Sequence, residues 1–218
     1  MHNPLLVVVG AGPGVGGSVA RHFGRAGHDA ALVGIDPDAM AALAADLEAE
    51  GITATWAVAD VTDGEALTAV VTGFGQQAGR IDVLHFNPSA FRRKDPLQLS
   101  VAELLDDVAL GVGALLTSVQ AARPFLRPGG RVTVTGSMAA DQPWHQAASL
   151  GVQKAGVRNL VHSLDATLRP DGVRAVSVTV RGTLSTTGAF TPDRVAAAIV
   201  AAARQPEETW ATEVSYEG

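Results

Sequence analysis

The sequence predicts a doubly wound α/β fold on a single parallel sheet of about seven strands, with helices on both faces. Three observations predict it. Short apolar strands alternate with helical segments along the whole chain, and the connections are too short for anything but parallel crossovers. The chain also opens with an apolar run, Leu5-Leu6-Val7-Val8-Val9, that passes straight into a loop carrying Gly10, Gly12, Gly14, Gly16 and Gly17. An uninterrupted apolar run closed by glycine reads as a buried parallel strand.

The elements follow in order. Residues 18–23 continue the glycine loop at helical spacing, and residues 29–34 read as the second strand. Asp36-Pro37 starts the next helix, with Asp36 as N-cap and Pro37 at the first helical position. It runs to about residue 50, where Gly51 stops it. Residues 52–58 form the third strand. Residues 60–63 cap a helix to about residue 78, and residues 81–86 form the fourth strand. Ser100 opens a long helix to about residue 125, with Glu103 completing a capping box. Pro128-Gly129-Gly130 reads as a turn, and residues 131–135 as the fifth strand, closed by Gly136-Ser137. Residues 139–147 form a loop, 148–168 a second long helix, 173–180 the sixth strand, 191–204 a helix and 209–215 a final strand.

Composition narrows the function classes. The 218 residues fit one domain spanning 1–218. No apolar run approaches the ~18 residues of a membrane span, and no signal-peptide pattern opens the chain. The chain has no cysteine, which excludes disulfides and thiolate chemistry and fits a cytoplasmic protein. A net charge of −6 with no long basic run argues against a nucleic-acid partner. The six histidines show no metal-ligand spacing, so no metal is expected.

The glycine loop carries the first functional signal. Glycines let the backbone turn and let a ligand approach where a Cβ would clash. The helix that follows turns unpaired N–H groups and its positive dipole end toward the loop, which suits a phosphate. The opening thus reads as the strand–loop–helix of a dinucleotide-binding fold; tight packing alone is the other reading of such glycines.

Further motifs carry a resemblance. Gly10-Ala11-Gly12-Pro13-Gly14-Val15-Gly16, Asp60-Val61 after the third strand, and Asn87 after the fourth fall in order. So do Gln120-Ala121-Ala122-Arg123-Pro124, Gly136-Ser137, and Lys154-Ala155-Gly156-Val157. Together they resemble the short-chain dehydrogenase/reductase family along nearly the whole chain. The resemblance implies a Rossmann fold and an oxidoreductase binding NAD or NADP. It implies cofactor contacts at Gly10, Gly12, Gly14, Val15, Gly16, Asp36, Asp60, Val61, Asn87 and Lys154, with Ser137 and Lys154 in catalytic positions.

The same alignment breaks at two catalytic positions. Four residues before Lys154 and thirteen after Ser137 both give Leu150, where the family has its acidic tyrosine. The family's asparagine position falls on Gly111. Leucine donates no proton, and general acid catalysis is worth ~10²–10⁴ in rate. His145 and Ser149 are the candidate replacement donors, His145 the better acid at neutral pH; an ordinary loop role for His145 stays open. Replacing Leu150 by Tyr and Gly111 by Asn together is expected to restore the register.

Cofactor choice stays open. Gly34 and Ile35 stand where NAD- and NADP-preferring members carry Asp and Arg, and Asp36 either caps its helix or reaches a ribose. Only about eight residues, 183–190, replace the family's substrate lid. Arg92, Arg93 and Arg181 lie at strand carboxyl ends and would suit an anionic small-molecule substrate, or form a solvated cluster. Helices 100–125 and 148–168 are long and apolar, and in the resembling family they pair between subunits. A homodimer or homotetramer through them is expected.

Overall fold

A computed structural model describes residues 3–218. Its seven strands are β1 (Leu5–Val9), β2 (Asp29–Gly34), β3 (Ala54–Val58), β4 (Ile81–Phe86), β5 (Leu126–Ser137), β6 (Arg174–Val180) and β7 (Glu213–Tyr216). They form one sheet in the order β3-β2-β1-β4-β5-β6-β7, and every pair is parallel. Strand order reverses between β2 and β4 on either side of β1, so the carboxyl end of β1 opens a crevice.

The helices are α1 (Val15–Arg25), α2 (Pro37–Ala49), α3 (Gly64–Ala78), α4 (Val101–Val108), α5 (Ala114–Ala122), α6 (Ala148–Leu168) and α7 (Pro192–Ala203). Alternation within β1 sends Leu5, Val7 and Val9 to the core under α3, α5 and α6. Leu6 and Val8 go to the core under α1, α2 and α7. Each core is continuous across several strands, so burial on both faces holds the sheet.

Three local expectations need correction. The helix expected over 100–125 is interrupted between α4 and α5 by a π-helical turn, Ala109–Gly113. Gly111 and Gly113 lie in it, and Gln153 Nε2 donates to the Asp107 carbonyl at 3.0 Å. Glycine and a side chain bonded into the helical ladder both favour the wider turn.

The Pro128-Gly129-Gly130 segment is a bulge inside β5 rather than a turn before it. Leu126 pairs with Ile81 and Arg131 with Val83. The extra residues loop out, with Gly129 at φ +88° and its N–H donating to Gly172 O at 2.7 Å. The last strand begins only at Glu213, after a 3₁₀ turn at Glu207–Thr209. Trp210 is drawn toward β6 by its indole N–H, which donates to Ala175 O at 3.3 Å.

Two helix caps read from the sequence are present. Asp36 Oδ1 accepts from the N–H groups of Asp38 and Ala39, and the Ser100–Glu103 capping box is complete. Among the described residues, no helix is long and apolar enough to cross a membrane. No group of three or more His, Asp or Glu among them could hold a metal ion.

Candidate active site

The glycine loop leaves β1 at the crevice. Gly10 has φ +78°, and its N–H and that of Ala11 both donate to Val33 O, at 3.0 and 2.8 Å. The loop glycines then divide by role. A Cβ at Gly10 would meet Pro88 at 2.8 Å, one at Gly16 would meet Gly10 O at 2.9 Å, and one at Gly17 would meet Gly12 O at 2.5 Å. These three serve close packing. Nothing lies within 4 Å of a Cβ built at Gly12 or Gly14. No side chain caps α1 at Gly14; the Gly17 N–H donates to Gly12 O at 2.8 Å, which leaves the N–H groups of Val15 and Gly16 for an anion. Open space beside an uncapped helix N-terminus fits the phosphates of a dinucleotide.

Gly14 and Val15 form one wall of a cavity of about 910 Å³. The ends of β5 and β6, with Leu150 and Lys154 of α6, line it as well. Lys154 is 4% exposed and donates from Nζ to the Thr135 carbonyl at 3.1 Å. Burial pushes its ammonium down to about 8. Two of its three N–H donors remain for a ligand. Ser137 Oγ accepts from Ala139 N at 3.2 Å and keeps its own proton to donate.

Asn87 is a staple between elements. Its Nδ2 donates to Gly10 O at 3.1 Å, and its Oδ1 accepts from Thr135 Oγ1 at 2.8 Å. Thr135 therefore ties the glycine loop, through Asn87, to the carbonyl that holds Lys154. Behind it, His85 is fully buried beside Thr133, and burial pushes its pKa down to about 3.

The structure gathers some predicted residues and scatters others. Gly14, Val15, Asn87, Ser137, Leu150 and Lys154 line the one cavity. Asp60 is exposed, and its Oδ1 is bonded to the Thr62 N–H and hydroxyl, which hold the carboxyl below its usual range; Val61 beside it is buried. Asp36 spends Oδ1 on its helix cap. His145 is exposed in a separate groove with Arg93 and Asp95, away from Leu150 and Lys154. Ser149 is fully buried beside Asp107, off the cavity wall. Neither expected replacement donor is among the residues that line the cavity.

The arginine expectation is also corrected. Arg92 donates from Nε and Nη2 to both carboxylate oxygens of Asp107, at 3.1 and 3.0 Å. Arg181 is paired with Asp141 at 3.0 Å. Both are neutralised by neighbours that approach from other elements. A Cβ at Gly34 would meet Met40 Sδ at 2.6 Å, so a carboxylate there requires the Met40 side chain to move. Segment 183–190 contains no helix, so the cavity has no helical cover on that side.

Three residues escaped the sequence reading: Gln153, Thr135 and Phe91. Gln153 is fully buried against Gly111 and takes the Ala90 N–H on Oε1 at 3.3 Å. The signal was there, since a glycine in mid-helix often marks a large neighbour packed against it.

The short chain dehydrogenase family model matches residues 4–194. Oxidoreductase UcpA of Escherichia coli K12 is 30% identical over 178 residues, which cover 79% of this chain and 66% of UcpA. The chain thus spans just under two thirds of that relative. A dehydrogenase/reductase from Sinorhizobium meliloti superposes with TM-score 0.89 at 21% identity, covering 99% of this chain and 94% of that one. A metagenomic short-chain oxidoreductase in complex with NADP superposes with TM-score 0.87 at 26% identity, covering 98% and 96%.

Proposed function

The chain belongs to the short chain dehydrogenase family, and on that premise we propose that it is an oxidoreductase-fold protein that binds NAD or NADP with a degenerate catalytic register. One observation carries the cofactor reading. Gly14, where a Cβ would meet nothing within 4 Å, lines the same cavity as Lys154 and Ser137. The NADP complex of the metagenomic relative supports it.

When bound, the nicotinamide supplies hydride transfer. The chain's own residues supply binding and orientation. The first turn of α1 takes the phosphates, Lys154 takes ribose hydroxyls with its two free donors, and Ser137 turns its hydroxyl to a substrate oxygen. Proton delivery is the missing part. Leu150 stands on the cavity wall where a phenol would stand, and Gly111 is filled by Gln153. That leucine favours a second reading: a dinucleotide-binding subunit that performs slow or no hydride transfer.

Titration calorimetry with NAD+, NADH, NADP+ and NADPH tests the cofactor. Binding of at least one form is expected. No heat and no thermal shift at millimolar concentration overturns the reading.

The same family premise leads us to assign a homodimer or homotetramer through α4, α5 and α6. Val101 (73% exposed), Leu105 (59%), Leu116 (40%) and Val152 (50%) leave apolar surface on these helices. Light scattering at micromolar protein checks the mass, and a monomer overturns the assignment.

A further inference from the structure

Three exposed large hydrophobic side chains converge on the active-site cavity from three separate loops. They are Phe91 (61% exposed), Trp144 (44%) and Leu184 (50%). The Phe91 and Trp144 rings lie 6.0 Å apart, centroid to centroid, at 32°. Deeper in, Met138, Leu150 and Val180 continue the apolar surface.

The Phe91 loop is held from both sides. The N–H of Ala90 donates to Gln153, and Arg92 grips both oxygens of Asp107. Lys94 Nζ donates to Glu103 Oε1 at 2.6 Å, and the Lys94 carbonyl accepts from Ala148 N at 3.2 Å. These anchors fix the backbone on each side of an aromatic ring that stays exposed over a cavity. A site ordered in advance loses less freedom on binding.

Charge narrows the occupant. Arg92 and Arg181 are already paired with carboxylates, and Arg93 faces the separate groove shared with His145. Among the residues lining the cavity, Lys154 is the one charged side chain; it is buried at the wall and bonded to Thr135 O. An anion among Phe91, Trp144 and Leu184 would give up part of its water without gaining a cation. Ser89, Ser137, Gln142 and Thr183 supply neutral hydrogen bonds instead.

We propose that this cavity takes an uncharged, ring-bearing ketone or the matching secondary alcohol, with the ring packed against the exposed side of the Phe91–Trp144 pair and its oxygen turned toward Ser137. The inference rests on reading the cavity as the active site. It makes Phe91 and Trp144 the residues that determine specificity.

Acetophenone, 4-acetylbenzoate and 2-octanone separate ring, charge and chain. Their binding to the full protein is measured by calorimetry and by ligand-observed NMR, with and without NADPH. Acetophenone is expected to bind at least ~10-fold tighter than 4-acetylbenzoate, the direction set by an unpaired charge. Phe91→Ala and Trp144→Ala are each expected to weaken it roughly 3- to 10-fold, the range of one aromatic contact. Phe91→Leu, which keeps an apolar side chain, is expected to retain more of the affinity than Phe91→Ala. Equal or tighter binding of the carboxylate, or unchanged affinity in both alanine variants, overturns the proposal. So does a case in which none of the three ketones binds while light scattering shows the rim variants changing the assembly, because the rim then meets a second copy. Dinucleotide titration of the same sample keeps the two readings apart. Ketone binding without dinucleotide binding defeats the cofactor reading alone; dinucleotide binding without ketone binding defeats this one alone.

Discussion

A Cβ built on Gly111 stands 2.5 Å from Cδ of Gln153 and closer still to its Cγ. Gln153 is fully buried and spans two backbone groups, the Asp107 carbonyl and the Ala90 N–H. It has no free direction in which to retreat. The asparagine expected to restore a relay at Gly111 therefore has no room while Gln153 remains. Gly111→Ala is expected to lose ~1–3 kcal/mol through overpacking, although the same change gains up to ~1 kcal/mol in an open helix. Gly111→Ala with Gln153→Ala should cost less than the two single changes summed. Urea unfolding checks the sign, and a Gly111→Ala protein as stable as the parent would contradict the packing argument.

That relationship also marks where sequence reading stops. The caps at Asp36 and Ser100 were legible because each is a side chain bonded to backbone two or three residues away. The glycine loop was legible because its strand, turn and helix adjoin in the chain. The π turn was not, since it involves Gln153, 46 residues from Asp107. The arginines looked free because their partners are distant in sequence, Asp107 being 15 residues from Arg92 and Asp141 being 40 from Arg181. His145 was near Lys154 in sequence, but the turn before α6 faces it outward. Periodicity carries no information on such pairings.

Lys154 should imprint a pH dependence on stability. Burial places its folded pKa at about 8, below the ordinary lysine value of 10.5. The unfolded chain therefore binds more protons between these two values, and stability rises with pH across that window. Below about 8 the penalty is fully present; above 10.5 it is gone. Lys154→Met carries no such penalty. The difference in unfolding free energy between the variant and the parent should shift in the parent's favour by ~1 kcal/mol per pH unit from about 8 to 10. A difference that stays flat from pH 7 to 10 would show that Lys154 is solvated in the folded protein.

Asp165 and Arg174 test the packing of the β6 side of the sheet. Arg174 Nε and Nη2 donate to the two oxygens of Asp165 at 2.9 and 2.8 Å, and both residues are buried. Asp165 also accepts from Ala175 N at 2.8 Å, and the guanidinium lies 4.7 Å from the Trp210 ring centroid. Asp165→Ala leaves a buried cation with Glu207 as its remaining carboxylate partner. A loss of ~3–5 kcal/mol is expected for breaking such a pair from one side. Replacing Asp165 and Arg174 together by apolar residues should cost less, because no charge is stranded. Chemical denaturation of the three variants decides this, and a double variant worse than Asp165→Ala would show that the pair is worth more than its desolvation.

The last test concerns proton supply. Leu150 lines the cavity, half-buried, one helical turn before Lys154. Side chains four residues apart share a helix face, so Leu150→Tyr sets a phenol on the face that carries the Lys154 ammonium. Nearby positive charge favours the phenolate and lowers the phenol's pKa, which brings the acid closer to working pH. The cavity is open on the side of residues 183–190, so the larger ring has somewhere to extend. Gly111 and Gln153 are left as they are, for the packing reason above. With NADPH or NADH and an activated diketone, Leu150→Tyr is expected to reduce substrate at least ~10²-fold faster than the parent, the low end for general acid catalysis. A folded variant that binds dinucleotide and shows no gain would place the defect in the geometry of hydride transfer. A parent already as fast as the variant would mean that a hydroxyl on the cavity wall, Ser137 first among them, delivers the proton without a phenol.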